Sequence, residues 1–427
     1  MACSSLSPNI AIIGICRVKG CKIGLTYFVP QLISAFTEDP MKNTQYCSAS
    51  SKPISASLLG IVGLASMMSL SACQQTPDYN YLTGETMGTS YHISYQLPED
   101  VDEAAIQASI DERLKQINDS MSTYQSDSTI TKFNQLGKGT PIAIDADFSR
   151  VLDVSKIVYE QSGGAFDPTV MPLVETWGFG STMTVERLQS PPTALEIAQA
   201  KALVDFESII KKDQTVSKTK DGVELDFSAV AKGYGVDVIA DVLREDYQIR
   251  NYMVEIGGEI STSGVNSQQQ PWQIAIDAPI EGSTVSERQT ISAIRQPKNT
   301  ATQMHLATSG NYRNSVIFDG KRYSHTIDPT TGKPIAGGAP SVTVAADSVA
   351  LADAWATALT AMPYHKALAV AKAQNLAAMF VVLADDVKTD RSDDKGAGDS
   401  ISDEDIDDWQ VVQTPAMEAL RADKKSS

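Results

Sequence analysis

Apolar residues recur at helical spacing over Val101–Ser120, at Ile106, Ile110, Leu114 and Ile117, and over Phe148–Ser162, at Val151, Val154, Ile157 and Val158. This period buries one face of a helix and leaves the other to solvent. Further helices are expected around Ala194–Val204, after a Pro-Pro turn, and over Ser228–Leu243. Alternating apolar and polar positions predict strands in the second half of Tyr81–Tyr95 and at Tyr252–Ile256, Trp272–Ile276, Ser315–Phe318 and Ser341–Ala345. Asp319-Gly320 marks a hairpin turn between Phe318 and Tyr323. Helices that alternate with mostly hairpin-linked strands predict an α+β fold.

The one strongly apolar stretch, Ala56–Leu70, is shorter than the roughly 20 residues that span a bilayer, and it reads as the apolar region of a signal peptide. Leu70-Ser71-Ala72-Cys73 follows at once and resembles a bacterial lipobox, in which small residues permit cleavage before a cysteine that receives diacylglycerol. On this reading residues 1–72 are a precursor segment and Cys73 is the lipidated amino terminus. Residues 73–80 form a short tether, and residues 81–420 form the folded domain. Met41-Lys42 and Lys52 make a conventional basic region before the apolar stretch, so Met41 is the expected start. A membrane lipoprotein facing the periplasm follows. Gln74 is not the aspartate that retains many such proteins in the inner membrane, which leaves the choice of membrane open.

The composition, 42% hydrophobic and 20% charged over 427 residues, is that of a globular protein. The cysteines are Cys3, Cys16, Cys21, Cys47 and Cys73, so the chain beyond 73 holds neither disulfide nor thiolate metal site. Net charge is −17, and −20 once residues 1–72, with five basic and two acidic residues, are removed. That balance excludes nucleic-acid binding, which needs a cationic surface. The acidic stretch 385–408 reads as a solvated loop, inserted in a hairpin whose strands are Ala377–Leu383 and Trp409–Thr414.

Phosphate-bearing ligands need backbone N–H groups they can approach closely, so glycine-rich turns at helix starts are the first candidates. Gly84–Thr89, Gly163–Thr169, Ile256–Glu259 and Thr308–Tyr312 qualify, each weak by itself. Their order carries more. Thr86-Met-Gly-Thr89 is followed by Met121-Ser-Thr-Tyr124 with Phe133-Asn134, and by Gly164-Ala-Phe-Asp-Pro-Thr-Val170. Next come Asp226-Phe-Ser-Ala-Val-Ala-Lys-Gly-Tyr234, Val254-Glu-Ile-Gly-Gly-Glu259 and Thr308-Ser-Gly-Asn-Tyr-Arg313. Ser324-His-Thr-Ile-Asp-Pro-Thr-Thr-Gly332 and Ala352-Asp-Ala-Trp-Ala-Thr357 close the series. Over about residues 81–384 this succession resembles the ApbE family of flavin transferases.

The resemblance implies an ApbE-type, T-fold-like α+β body with mainly antiparallel sheets. It implies an enzyme that uses Mg²⁺ and FAD to attach FMN to a Thr or Ser of a partner flavoprotein, releasing AMP. It places Met87, Tyr124, Ala165, Phe166, Asp167, Asp226, Lys232 and Ile327 at FAD-contacting positions, Tyr124 stacking on flavin or adenine. It makes Asp353, Thr357 and the backbone oxygen of Ala229 the Mg²⁺ ligands. The residues agree with that last assignment. Asp353 and Thr357 stand one turn apart in the Ala-rich stretch Ala350–Leu359, and Mg²⁺ needs few protein oxygens because it keeps positions for phosphate and water.

His325 is the candidate general base, since an imidazole near its ordinary pKa can take a proton from a hydroxyl at neutral pH. Asp328 either orients it or caps the Asp-Pro turn. His92, His305 and His365 read as structural or exposed. Two other functions stay open: an FAD pyrophosphatase giving FMN and AMP, and a non-catalytic flavin-binding lipoprotein. By resemblance the acceptors are subunits of a sodium-translocating NADH:quinone reductase or an Rnf-type complex.

Overall fold

The computed structural model describes residues 79–180, 190–280, 289–297, 303–311, 315–318, 321–335, 337–384, 387 and 408–422. Cys73, the lipobox, the Asp319-Gly320 turn and nearly all of the acidic stretch lie outside the described residues. Among the described residues no helix is long and apolar enough to cross a membrane.

The centre is an eight-stranded antiparallel sheet whose order in space is its order in the chain. The strands are β1 (Tyr79–Thr86), β2 (Thr89–Gln96), β3 (Tyr252–Ile256), β4 (Glu259–Ser263), β5 (Met304–Gly310), β6 (Ser341–Ala346), β7 (Ala377–Leu383) and β8 (Trp409–Gln413). β7 and β8 pair Leu383 with Trp409, as the alternation predicts, so the acidic stretch joins two paired strands.

The helices are α1 (Glu103–Met121), α2 (Thr129–Gln135), α3 (Ala146–Ser162), α4 (Met171–Trp177), α5 (Ala194–Lys201), α6 (Ala231–Asp241), α7 (Val349–Thr360), α8 (Tyr364–Ala373) and α9 (Pro415–Ala422) among the described residues. Both long amphipathic helices begin where an aspartate offers an N-cap. Asp102 accepts from the Ala104 N–H at 3.1 Å and Asp145 from that of Phe148 at 2.7 Å. Gly163 ends α3 in the left-handed conformation.

Alternation along the strands sends side chains to opposite faces. On β7, Ala378, Phe380 and Val382 join the core built with α3, α7 and α8. Met379 and Val381 join a second core beneath the ribbon Gln273–Asp277/Thr290–Arg295. α1 and α6 cover β2 and β3 through Ile106, Ile110, Leu114, Val236 and Ile239.

Two expectations need correction. The helix expected from Ser228 begins at Ala231, because Asp226 accepts both the N–H (2.9 Å) and the Oγ–H (2.6 Å) of Ser228 and holds residues 226–228 as a turn. And the segment read as a glycine turn from Thr308 is the end of a central strand, β5, where Thr308 Oγ1 bonds Thr343 Oγ1 across the sheet at 2.9 Å. A polar pair across the sheet does not show as apolar alternation.

Candidate active site

α6 and α7 cross at Gly233. A Cβ there would lie 2.5 Å from the Val349 carbonyl oxygen, so only glycine permits the approach. Each helix leaves N–H groups unpaired in its first turn, and the other helix supplies the acceptor. Asp237 of α6 accepts from Val349 N–H at 2.8 Å and Ala350 N–H at 2.9 Å, while Ser348 caps Leu351. α6 starts after Val230, which has no side-chain oxygen, and Gly233 N–H donates to Asp353 Oδ2 at 3.1 Å. A carboxylate at a helix amino terminus is stabilised by the local dipole.

Asp353 is 4% exposed, and burial pushes its carboxyl above the ordinary range against the attraction of Lys232. Lys232 Nζ lies 2.8 Å from Glu259 Oε1 and 3.8 Å from Asp353 Oδ2. Burial works to discharge that ammonium, but Asp353 and Glu259 together hold it above the ordinary lysine range. Glu259 is 2% exposed and its Oε2 has no hydrogen-bond partner. Burial first, then repulsion from Asp353, push the Glu259 carboxyl up to about 8. Two buried carboxylates thus share one ammonium. Burial forces a proton onto such a pair, and a cation bound beside Asp353 would match the charge in that proton's place.

Two hairpin turns border this cluster. Met87 (φ 50) and Gly88 (φ 75) link β1 to β2, and Gly257 (φ 60) and Gly258 (φ 107) link β3 to β4. Gly257 N–H donates to Ser90 O at 3.2 Å, and a Cβ on Gly257 would stand 2.8 Å from Thr89 and 3.4 Å from Lys232. Met87 holds a left-handed backbone that suits glycine better, and its Cε packs against Gly235 of α6. Residues Glu85–Ser90 line a depression of about 450 Å³. The glycine motifs therefore sit at hairpins, at the end of α3 and in a strand; none opens a helix.

Asp226 N–H donates to Pro168 O at 2.7 Å, which brings the Asp167 and Asp226 segments together. Burial raises both carboxyls, against hydrogen bonds from Thr169 to Asp167 and from Ser228 to Asp226. Ala229, half-buried, follows on the approach to α6, and half-buried Thr357 stands one turn beyond Asp353 on α7. Tyr124, on the loop after α1, is 84% exposed and presents an open aromatic face.

The side chains of Ala165, Phe166 and Ile327 pack into apolar clusters, so what they give a ligand site is the course of the backbone. His325 stands edge-on to the Phe179 ring, 6.5 Å between centroids, just before Ile327. Asp328 Oδ1 accepts from the N–H (2.8 Å) and Oγ–H (2.6 Å) of Thr330, the turn-capping arrangement. Of the other histidines, His92 pairs with Glu255 at 2.7 Å, His305 is half-buried beside Ser261 and 3.9 Å from Asp237, and His365 lies against Tyr364.

Glu259 and Asp237 are absent from the residues singled out by sequence. Glu259 ends the Ile256-Gly-Gly-Glu259 motif and is buried at the start of β4, which the local sequence does not announce; Asp237 follows Gly233 by one helical turn.

The sequence profile of the ApbE family matches residues 87–380. FAD:protein FMN transferase of Vibrio cholerae is 40% identical over 327 residues, covering 76% of this chain and 94% of its own. That of Haemophilus influenzae is 40% identical over 338 residues, covering 76% and 93%. This chain belongs to the ApbE family. The solved flavin transferase ApbE from Vibrio cholerae superposes with a TM-score of 0.65 at 34% identity, over 80% of this chain and 99% of that one. The ApbE match opens on Met87 and closes on Phe380 in β7, so both hairpin turns, α6, α7 and the His325 segment fall inside it. Its α+β architecture of helices and antiparallel sheets is the one expected for ApbE relatives.

Proposed function

We propose that this chain is an FAD:protein FMN transferase, moving FMN from FAD onto a Thr or Ser hydroxyl of a partner protein and releasing AMP. The observation that carries the reading is the buried Asp353, aimed at the start of α6 beside Lys232, in a chain of the ApbE family.

The donor set suits Mg²⁺. Among the described residues no group of three or more His, Cys, Asp or Glu gathers, which disfavours a soft or fully protein-caged ion. One carboxylate (Asp353), one hydroxyl (Thr357) and one carbonyl (Ala229) are hard oxygens of the kind Mg²⁺ takes. Bound there, Mg²⁺ supplies charge neutralisation for a pyrophosphate.

Phosphoryl transfer asks the protein mainly for positioning and charge. Lys232 offsets phosphate charge, the Met87–Gly88 and Gly257–Gly258 turns leave room for close approach, and Tyr124 offers a stacking face. His325 takes the proton of the acceptor hydroxyl. The hydroxyl oxygen bonds to the phosphorus on the FMN side, the bridging P–O bond breaks, and AMP leaves with the second phosphate.

Acceptor subunits of a sodium-translocating NADH:quinone reductase or an Rnf-type complex, and a lipid anchor on Cys73 facing the periplasm, complete the proposal. Chromatography of the products, with and without an acceptor, tests it. Transfer predicts AMP in excess of free FMN when acceptor is present, whereas equal free FMN and AMP under both conditions would mark an FAD pyrophosphatase instead.

A further inference from the structure

The buried triad holds one carboxylate that the proposed chemistry does not use. Glu259 accepts the Lys232 ammonium at 2.8 Å through Oε1, and Oε2 finds no donor. Asp353 meets the same ammonium only at 3.8 Å. Among the described residues its other partner is the Gly233 N–H. The lysine stem passes Gly257, where an added Cβ would come within 3.4 Å of Lys232 Cδ. Nζ therefore rests on one carboxylate, although a second lies about an ångström farther off.

From this geometry we infer that Glu259 is a positioning residue: it holds the Lys232 ammonium off Asp353 and so keeps the Asp353 carboxylate available to a divalent cation. The inference rests on Asp353 being a metal ligand, as proposed above. Lys232 is only half-buried, its side chain 28% exposed, and once released from Glu259 its nearest remaining anionic partner is Asp353, 3.8 Å away. Lys232 would then close on Asp353 and compete with the metal for the same oxygens. Glu259 thus acts on the metal through the lysine and needs no contact with it.

A second role for Glu259 would be simple attraction of the cation by its own charge, and a double-mutant cycle separates the two. Mn²⁺ alone, a hard-oxygen stand-in for Mg²⁺ that is visible by electron paramagnetic resonance, is titrated into the protein in the absence of FAD. Wild type should bind it and Asp353→Ala should not. Glu259→Gln should weaken binding by about tenfold or more, the size of a redirected buried ion pair. Lys232→Met should bind at least as tightly as wild type. Adding Glu259→Gln to Lys232→Met should then cost almost nothing, since the competitor is gone.

Equal binding by wild type and Glu259→Gln would overturn the inference. So would an equal loss from Glu259→Gln in both lysine backgrounds, which would mark a direct charge effect. If Glu259→Gln does not fold, Lys232→Met alone decides: weaker Mn²⁺ binding than wild type contradicts competition. Indistinguishable binding by wild type and Asp353→Ala would remove the metal assignment itself, and this inference with it.

Discussion

Asp237 and Asp353 form a reciprocal pair: each stands on one of two crossing helices and accepts hydrogen bonds from the first turn of the other. Asp237 takes Val349 and Ala350 at 2.8 and 2.9 Å, and Asp353 takes Gly233 at 3.1 Å. The residue proposed to bind metal is thus part of the brace that seats its own helix.

Asp237→Ala should leave two buried N–H groups without acceptors and cost about 3 kcal/mol, measured by urea denaturation. Ser348→Ala, which removes one cap on the same turn, should cost about 1 kcal/mol. Equal small losses would mean that α7 is held by packing alone.

The glycines on α6 separate a rigid contact from a soft one. A methyl at Gly233 meets backbone at 2.5 Å, whereas one at Gly235 meets the flexible end of Met87 at 3.1 Å. Gly233→Ala should destabilise by about 3 kcal/mol or more, and Gly235→Ala by less than about 1 kcal/mol, in thermal or chemical unfolding.

Periodicity made much of this fold legible. Tyr252–Ile256 and Ser315–Phe318 are strands at the expected bounds, and α1 and α3 begin within two residues of where their apolar spacing begins. β5 escaped because its Thr308 pairs with Thr343 of β6 across the sheet. The ordered motifs named Lys232 and Asp353, but nothing local shows that residues 120 apart share a hydrogen bond, as Gly233 and Asp353 do. Glu259 reads locally as the end of a glycine turn, and its burial is a property of the assembled sheet.

His305 carries a pH dependence. Burial first, then Arg244, lowers its pKa to about 4, so the folded chain keeps the imidazole neutral where the unfolded chain, at about 6.5, binds a proton. Its stability contribution is full above about pH 6.5 and lost as pH falls towards 4. Asp237, raised to about 6 mainly by burial, works the other way: the folded state takes up its proton first and gains stability as pH falls below 6. His305 Nδ1 stands 3.9 Å from Asp237 Oδ1, so the comparison of wild type with His305→Gln reads the histidine together with its effect on that carboxyl. Between pH 7 and pH 5 the variant should gain about 2 kcal/mol relative to wild type in urea unfolding. An unchanged difference would place a charged or exposed imidazole at this position.

His325→Ala separates proton transfer from binding. General-base catalysis contributes roughly 10² to 10⁴ in rate, so FMN transfer should fall by about that factor while FAD affinity, followed by flavin fluorescence, changes little. Parallel loss of affinity and rate would make His325 a ligand contact, and the base would have to be sought elsewhere.

The most direct test of the central claim is the intact mass of an acceptor protein after incubation with FAD, Mg²⁺ and this enzyme. The account predicts a gain of one FMN phosphoester on a Thr or Ser with wild type, and none with a folded Asp353→Ala variant. An unmodified acceptor with FAD consumed, or full modification by Asp353→Ala, would contradict it.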